Sequence, residues 1–310
     1  MRAPRTNTEE TVSAIITTHN RPEELWAALA SVQDQTQAPT EVIVVDDASD
    51  PPLFATKVQD WFPDLPISVE RNDVSQGPGG ARNRGVALAS GDILMFLDDD
   101  DTWEPTKIYD QAKVFAENAE VGLVYSGRKV VTYRDRSNVK YTIDPVCQGD
   151  IYPGILISNC IGVTSSVAIR RSVFEAVEGF DENLAAREDY EMWIRCARQT
   201  SVAHDDGHNL RYTIVSESGT QMSSSHVKRH ITAIQQIMDK HREEMDRLPP
   251  ADRDKAQAEY YYYVAKMARK HGVLAAVPWV VRSLRSYPMK KVVAALLPPP
   301  LVRTLRSISG

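Results

Sequence analysis

Asp92-Ile93-Leu94-Met95-Phe96-Leu97-Asp98-Asp99-Asp100-Asp101 joins an uninterrupted apolar run to four successive carboxylates. The apolar part, bounded by Gly91 on one side and charge on the other, reads as a strand buried on both faces, as in a parallel sheet. Four adjacent negative charges repel, so folding alone gives little reason to group them. A divalent cation would relieve that repulsion. Carboxylate oxygens at a strand end suit Mg²⁺ or Mn²⁺, which complete their shell with substrate phosphates. The stretch points to a metal-assisted reaction on a phosphate-bearing substrate. A solvated acidic turn, with Asp101 capping the next helix, would carry the same letters.

Working outward, Val12–Thr18 is a second apolar, β-branched run, broken by His19-Asn20-Arg21-Pro22. Pro22 suits the first turn of a helix, Glu23 and Glu24 suit its positive end, and Leu25, Ala28, Leu29 and Val32 give it an apolar face. Glu41–Val45 reads as a buried strand ending in Asp46-Asp47, and Ile67–Arg71 as another. Gly77-Pro78-Gly79-Gly80 reads as a loop before a helix over Ala81–Ala89. This alternation predicts an α/β fold with a mostly parallel sheet flanked by helices. Ligands of such sheets sit at the carboxyl ends of the strands, where His19, Asp46, Asp47 and Asp98–Asp101 all fall. In the second half, Gly122–Thr132 and Ser165–Ile169 read as strands. Arg171–Val177, Glu188–Arg198, Ile231–Arg247 and Asp252–Lys270 read as helices, with Trp193 in the core. The domain expectation is a polar extension over 1–10, a catalytic unit over 11–248 divided near 105, and a helical, basic tail over 249–310.

Composition narrows the classes. The 310 residues, 42% hydrophobic, are enough for a sizeable core. Cys147, Cys160 and Cys196 are odd in number, widely spaced and form no CxxC, which argues against a disulfide framework or a structural zinc site and predicts a reducing, cytoplasmic setting. Met1–Glu10 is polar and does not read as a signal peptide, and no apolar run reaches membrane-spanning length. The net charge of −6 conceals an asymmetry: beyond Glu259 there is no acid, only basic residues totalling +9, leaving −15 on residues 1–259. Apolar clusters at Val273–Val281, Val292–Leu297 and Leu301–Leu305, punctuated by Lys, Arg and Pro, predict a tail that lies on an anionic membrane surface or packs on a partner subunit. The acidic body argues against nucleic acid as a partner.

Several of these segments, in this order, resemble the motifs of family 2 glycosyltransferases. They are Val12–Arg21, Glu41–Ser49 (EVIVVDDAS), Ala81-Arg82-Asn83-Arg84-Gly85, Gly91–Asp101, Gly179-Phe180-Asp181-Glu182 and Glu188–Trp193 (EDYEMW). The resemblance covers roughly residues 11–230. It implies a GT-A (Rossmann-like) fold and sugar transfer, with inversion, from a nucleotide-sugar donor to a glycan acceptor. Family members of this size often extend polyprenyl- or dolichyl-linked glycans, for protein glycosylation or surface polysaccharide, at the cytoplasmic membrane face. A UDP-hexose or UDP-hexuronic acid is the expected donor.

By resemblance, Asp47 contacts the donor base, with Thr17 and His19 in the same pocket and Asn20, Arg21 and Asp46 nearby. Acceptor-only carboxylates suit uracil N–H and ribose hydroxyls; a turn with a helix cap would also use Asp46 and Asp47. The 77–80 loop, with Gly79, would let backbone approach the donor, and Arg82 would contact its phosphate or sugar unless it is a helix-surface arginine. Resemblance assigns Asp100, with Asp98, to Mn²⁺ or Mg²⁺, and Asp98 and Asp99 to donor hydroxyls. Asp189 matches the general base, supported by Glu188, and His226 is expected to close over the diphosphate as a further metal ligand. Cys160–Ser166 is expected to line the acceptor cleft. Two other classes use similar letters: a nucleotidyltransferase of related fold, disfavoured by Thr-Thr-His-Asn-Arg after the first strand, and an inactive nucleotide-sugar-binding module, disfavoured by Asp47, Asp98, Asp100 and Asp189 together.

Overall fold

The computed structural model describes residues 10–214, 227–269, 271–294 and 296. The chain folds as two compact units: Met1–Tyr152, Cys160–Asn183 and Glu188–Gly219 in the first, and Pro153–Asn159, Leu184–Arg187 and Thr220–Gly310 in the second.

The first unit is built on a sheet whose strand order is β10-β6-β9-β4-β1-β2-β3. Its parallel half comprises β1 (Val12–Thr18), β2 (Glu41–Asp46), β3 (Ile67–Arg71) and β4 (Ile93–Asp98). The helices α1 (Pro22–Gln33), α2 (Ala55–Trp61) and α3 (Gly77–Leu88) connect these strands. Ile93–Leu97 is wholly buried because β4 lies between β1 and β9 with both faces covered. β9 (Val167–Arg170) runs antiparallel to both β4 and β6 (Val121–Tyr125), and β10 (Ser201–His204) closes that side. A smaller sheet has the order β5-β11-β7-β8, from β5 (Thr102–Trp103), β7 (Arg128–Thr132), β8 (Tyr141–Ile143) and β11 (Leu210–Ile214). The helices α4 (Lys107–Glu117), α5 (Arg171–Ala176) and α6 (Glu188–Ala197) complete the unit. In the second unit, α7 (Val227–Lys240), α8 (Arg242–Asp246), α9 (Pro250–Arg269), α10 (Val273–Ser286) and α11 (Lys290–Ala294) follow one another, with Ala265, Val280 and Val292 forming a small core.

The structure corrects four expectations. Gly77-Pro78-Gly79-Gly80 is not a loop but the first turn of α3, where Pro78 is tolerated because the first N–H groups lack intrahelical partners. Gly122–Thr132 is two strands, not one. At Gly127 the chain leaves the large sheet for the small one, and a Cβ there would stand 2.7 Å from the Ile143 carbonyl oxygen and 2.9 Å from that of Gly207. The predicted helix over Ile231–Arg247 is interrupted at His241. Cys147 and Cys160 form a disulfide, with Cα atoms 6.1 Å apart, and only Cys196 is free. The intervening segment turns through the 3₁₀ helix at Gly154–Leu156, and the resulting proximity is not expressed by the bare spacing.

Candidate active site

Register assembles the site. In the parallel ladder Thr17 lies opposite Asp98 and Thr18 opposite Asp46, so the segments following β1, β2 and β4 leave the sheet at the same edge. The polar clusters predicted to converge do so through side chains. His19 Nδ1 lies 2.7 Å from the Asp47 carbonyl oxygen, which fixes the proton on Nδ1. Asn20 (φ 57°) receives Asp50 N–H on Oδ1 and donates its own N–H to Ser49 Oγ. Thr17 is half-buried at the same edge.

The two adjacent aspartates after β2 have different tasks. Asp46 is fully buried and accepts from Ser49 N, Leu53 N and Arg71 Nη1, which knots the 46–53 turn. Burial alone would raise its pKa, but these hydrogen bonds outweigh it and hold the carboxyl below its ordinary value. Asp47 instead reaches across to α3. Its carboxylate accepts from Asn72 Nδ2, Ser75 Oγ and the N–H groups of Gln76 and Gly77, meeting unsatisfied donors at the helix start.

The acidic run is divided among partners. Arg21 Nη1 lies 3.0 Å from both Asp99 Oδ1 and Asp100 Oδ2, and Thr18 Oγ1 donates to Asp99. Arg82 is buried between Asp98, at 2.5 Å, and Glu188, at 2.8 Å. Burial would depress its pKa, yet the two carboxylates prevail and hold the guanidinium charged. It is therefore not a helix-surface residue, and its guanidinium is shared between two carboxylates. Asp101 does not cap α4, whose N-cap is Thr106; it is buried and accepts from Thr213 N–H on β11 at 2.9 Å.

Too few cations face this run. Burial pushes the Asp99 carboxyl up to about 7 against the pull of Arg21. Asp100 is raised by burial and by the Asp98 charge, and Asp101 by burial and the charges of Asp100 and Asp98. Asp98 and Asp100 retain side-chain exposures of 31% and 23%. Among the described residues, no three His, Cys, Asp or Glu side chains converge into a closed metal cage. An open pair of carboxylates with excess negative charge nonetheless fits Mg²⁺ or Mn²⁺, which are commonly held by one or two carboxylates together with substrate phosphates.

Glu188 and Asp189 open α6, and the Arg82 bridge ties Glu188 to Asp98 across 90 residues of sequence. Asp189 is half-buried beside it and accepts from Tyr190 N–H. Gly79 does not border an open loop; it packs against Phe180 and Glu188, a Cβ there lying 3.4 and 3.5 Å from their side chains. Asn83 clamps the same segment by exchanging hydrogen bonds with Phe180 N–H and C=O. Trp193 is fully buried, as expected of a core residue. His226 lies outside the described residues. Ser165 escaped individual notice: its Oγ accepts from Asp98 N–H and its carbonyl from Trp103 Nε1. It falls inside the Cys160–Ser166 stretch already singled out. Thr18 and Arg128 carried no sequence signal that separated them from ordinary strand residues.

A family model, glycosyl transferase family 2, matches residues 13–177, which contain the first four of the six motifs from Ser13 onward, Arg82 among them. An uncharacterized glycosyltransferase of Haemophilus influenzae is 30% identical over 191 residues, covering 61% of this chain and 63% of the relative; this chain thus spans less than two thirds of that protein. WfgD of Escherichia coli, a UDP-Glc:alpha-D-GlcNAc-diphosphoundecaprenol beta-1,3-glucosyltransferase, is 28% identical over 193 residues, covering 62% of this chain and 72% of its own. Among solved structures, Staphylococcus aureus TarS 1–349 superposes with a TM-score of 0.62 at 18% identity, over 92% of this chain and 83% of TarS. PcManGT, a mannosyltransferase of Pyrobaculum calidifontis solved with GDP-Man and Mn²⁺, gives 0.57 at 19%, over 99% and 82%. These structural likenesses establish the GT-A type of fold.

Proposed function

The chain belongs to glycosyl transferase family 2, and from that premise we propose that it transfers a sugar, with inversion, from a nucleoside diphosphate sugar to a hydroxyl of a lipid-linked glycan. The observation that carries this reading is the Asp98–Arg82–Glu188 bridge, which joins the end of β4 to the start of α6. It supports a site in which the carboxylates suited to a donor diphosphate stand beside the start of α6, where Asp189, the proposed base, follows Glu188. In the proposed reaction the acceptor oxygen bonds to the anomeric carbon from the face opposite the diphosphate. The bond from that carbon to the phosphate oxygen breaks, the diphosphate leaves with the electron pair, and Asp189 takes the hydroxyl proton. Asp98 and Asp100 would hold Mn²⁺ or Mg²⁺, which when bound supplies positive charge to the diphosphate. Arg82 keeps Asp98 and Glu188 oriented, and Asp47 holds the 72–77 segment bordering the nucleotide pocket.

A UDP-hexose or UDP-hexuronic acid is the proposed donor, supported by the UDP-Glc use named for WfgD and by the UDP-GlcNAc complex of TarS. The undecaprenol-linked acceptor named for WfgD supports a polyprenyl-linked acceptor here, in polysaccharide or protein glycosylation at the cytoplasmic membrane face. No helix among the described residues is long and apolar enough to cross a membrane, so any attachment by them would be peripheral.

The test is a screen of UDP-, GDP- and dTDP-sugars for Mn²⁺-dependent binding and turnover in wild type, D100A and D189N. D100A should lose metal-dependent donor binding. D189N should keep it while kcat falls about 10²-fold or more, the range of a lost general base. Donor binding indifferent to both metal and Asp100 would overturn the metal assignment.

A further inference from the structure

Arg128 opens β7, between Leu210 of β11 and Ile143 of β8 in the small sheet. It differs from the other arginines of the site. Arg21 and Arg82 each span two carboxylates, whereas Arg128 has no carboxylate of a described residue within ion-pair distance. Its Nε, like that of Arg82, is buried without a hydrogen-bond partner, so the difference lies in the missing carboxylates. The guanidinium lies over the Tyr212 ring, 5.8 Å from the centroid, and against the backbone of Gly162 (φ 105°), where an added Cβ would stand 2.3 Å from Nη1. The side chain is thus held in place by an aromatic face and a glycine, neither of which neutralises it. Burial lowers its pKa, and the nearby charges that act on it include Asp101 and Asp189. A partly buried cation without a direct anion is costly unless one arrives. A guanidinium presents five N–H donors in a fork matched to phosphate or carboxylate oxygens.

We propose that Arg128 binds an oxyanion, phosphate or carboxylate, carried by the acceptor substrate next to the hydroxyl that faces Asp189. The assignment to the acceptor follows from position: the cations near the donor-side carboxylates, Arg21 and Arg82, are already engaged, while Gly162, against which Arg128 lies, accepts from Trp193 Nε1 of α6, the helix that Glu188 and Asp189 open. It rests on the glycosyl-transfer reading above. The acceptor is then anionic close to its reacting end, as a sugar on a phosphate or a uronate residue would be.

The probes are N-acetylglucosamine 1-phosphate and glucuronate, with neutral N-acetylglucosamine as control, titrated by calorimetry with and without saturating UDP and Mn²⁺. Wild type should bind at least one anionic probe, with UDP in place, more than tenfold better than the neutral sugar. R128Q should erase that preference and leave UDP affinity within about twofold; R128K, which retains the charge and the fold but not the fork, should fall between. Phosphate and carboxylate preference identify the two sources of the anion. An anionic preference that is missing in wild type or survives in R128Q overturns the proposal. So does a loss of UDP affinity in R128Q, which would assign Arg128 to the donor. If UDP fails to bind wild type, the proposed uridine donor falls, and the titrations without UDP still decide whether Arg128 holds an anion.

Discussion

Arg82 shows how one side chain can connect a sequence motif to a site. Its fork reaches Asp98 and Glu188, and its guanidinium stacks 5.4 Å over Phe180. In R82M the two carboxylates would face each other without a cation. The expected cost is about 3 kcal/mol, the low end for a broken buried pair because Asp98 is one third exposed. Urea denaturation should show this loss, and R82K should recover part of it without restoring both contacts. Lys107 offers a separate test. It is fully buried, donates to Gln111 Oε1 and the Ser166 carbonyl, and burial lowers its pKa to about 7. Its folded pKa is below the unfolded value, so between pH 7 and about 10 the unfolded chain binds the extra proton. Wild-type stability relative to K107M should therefore rise with pH across that window, with a slope approaching about 1.4 kcal/mol per pH unit. A flat difference between pH 7 and 9 would show that the amine stays charged when folded. Residue types and strand-end positions were legible in the sequence for Asp46, Asp47 and Asp98–Asp101. Their division of labour was not, because Arg71, Asn72, Thr213 and Glu188, which decide it, come from other segments.

At the scale of elements, α3 packs on β1 and β2 through Gly85. A Cβ at that position would stand 2.5 Å from Ile15 Cγ2 and 3.3 Å from Val45 Cγ2, both on stiff β-branched side chains in the sheet. G85A should therefore destabilise the protein by about 1–3 kcal/mol through overpacking, despite alanine's better helix propensity. Thermal unfolding measures it, and an unchanged or raised Tm would mean that helix and sheet separate easily. Long elements with continuous apolar runs, such as β1, β2 and β4, could be read from the letters because burial on both faces leaves a local signature. The same holds for α1 and α6, with their periodic apolar faces and acidic first turns. β5 and β8 could not, being two and three residues long and defined by their partners in the small sheet. The start of α3 was hidden for another reason: its glycines announce flexibility, whereas here Gly79 permits close packing against Phe180 and Glu188.

At the scale of the molecule, the charge asymmetry becomes a question about α10 and α11. Ala276, Val280 and Ser283 face inward, Ser283 donating to the Ala258 carbonyl of α9, and Val292 joins their core. That packing explains part of the tail's apolar content without a membrane. The remainder stays outside: Leu274 is 86% exposed, and Val273, Val281 and Val293 are also exposed. Arg282, Arg285 and Lys290 are exposed in the same stretch, while Lys291 is paired with Glu259. Leu301–Leu305 lies outside the described residues. An apolar ridge bordered by Arg282, Arg285 and Lys290, which have no carboxylate partner among the described residues, suits the interface of an anionic bilayer, where each basic group near the surface contributes about 1 kcal/mol. L274E/V281E changes only exposed positions, so the fold should persist while binding to phosphatidylglycerol vesicles falls at least tenfold in a sedimentation assay. Binding should also weaken between 50 and 500 mM salt, because the charge contribution is screened. Vesicle binding that is unaffected by the double substitution would exclude this ridge as the contact, and a wild-type protein that does not sediment would exclude membrane attachment. Concentration-dependent association abolished by L274E/V281E would instead assign the ridge to a contact between subunits.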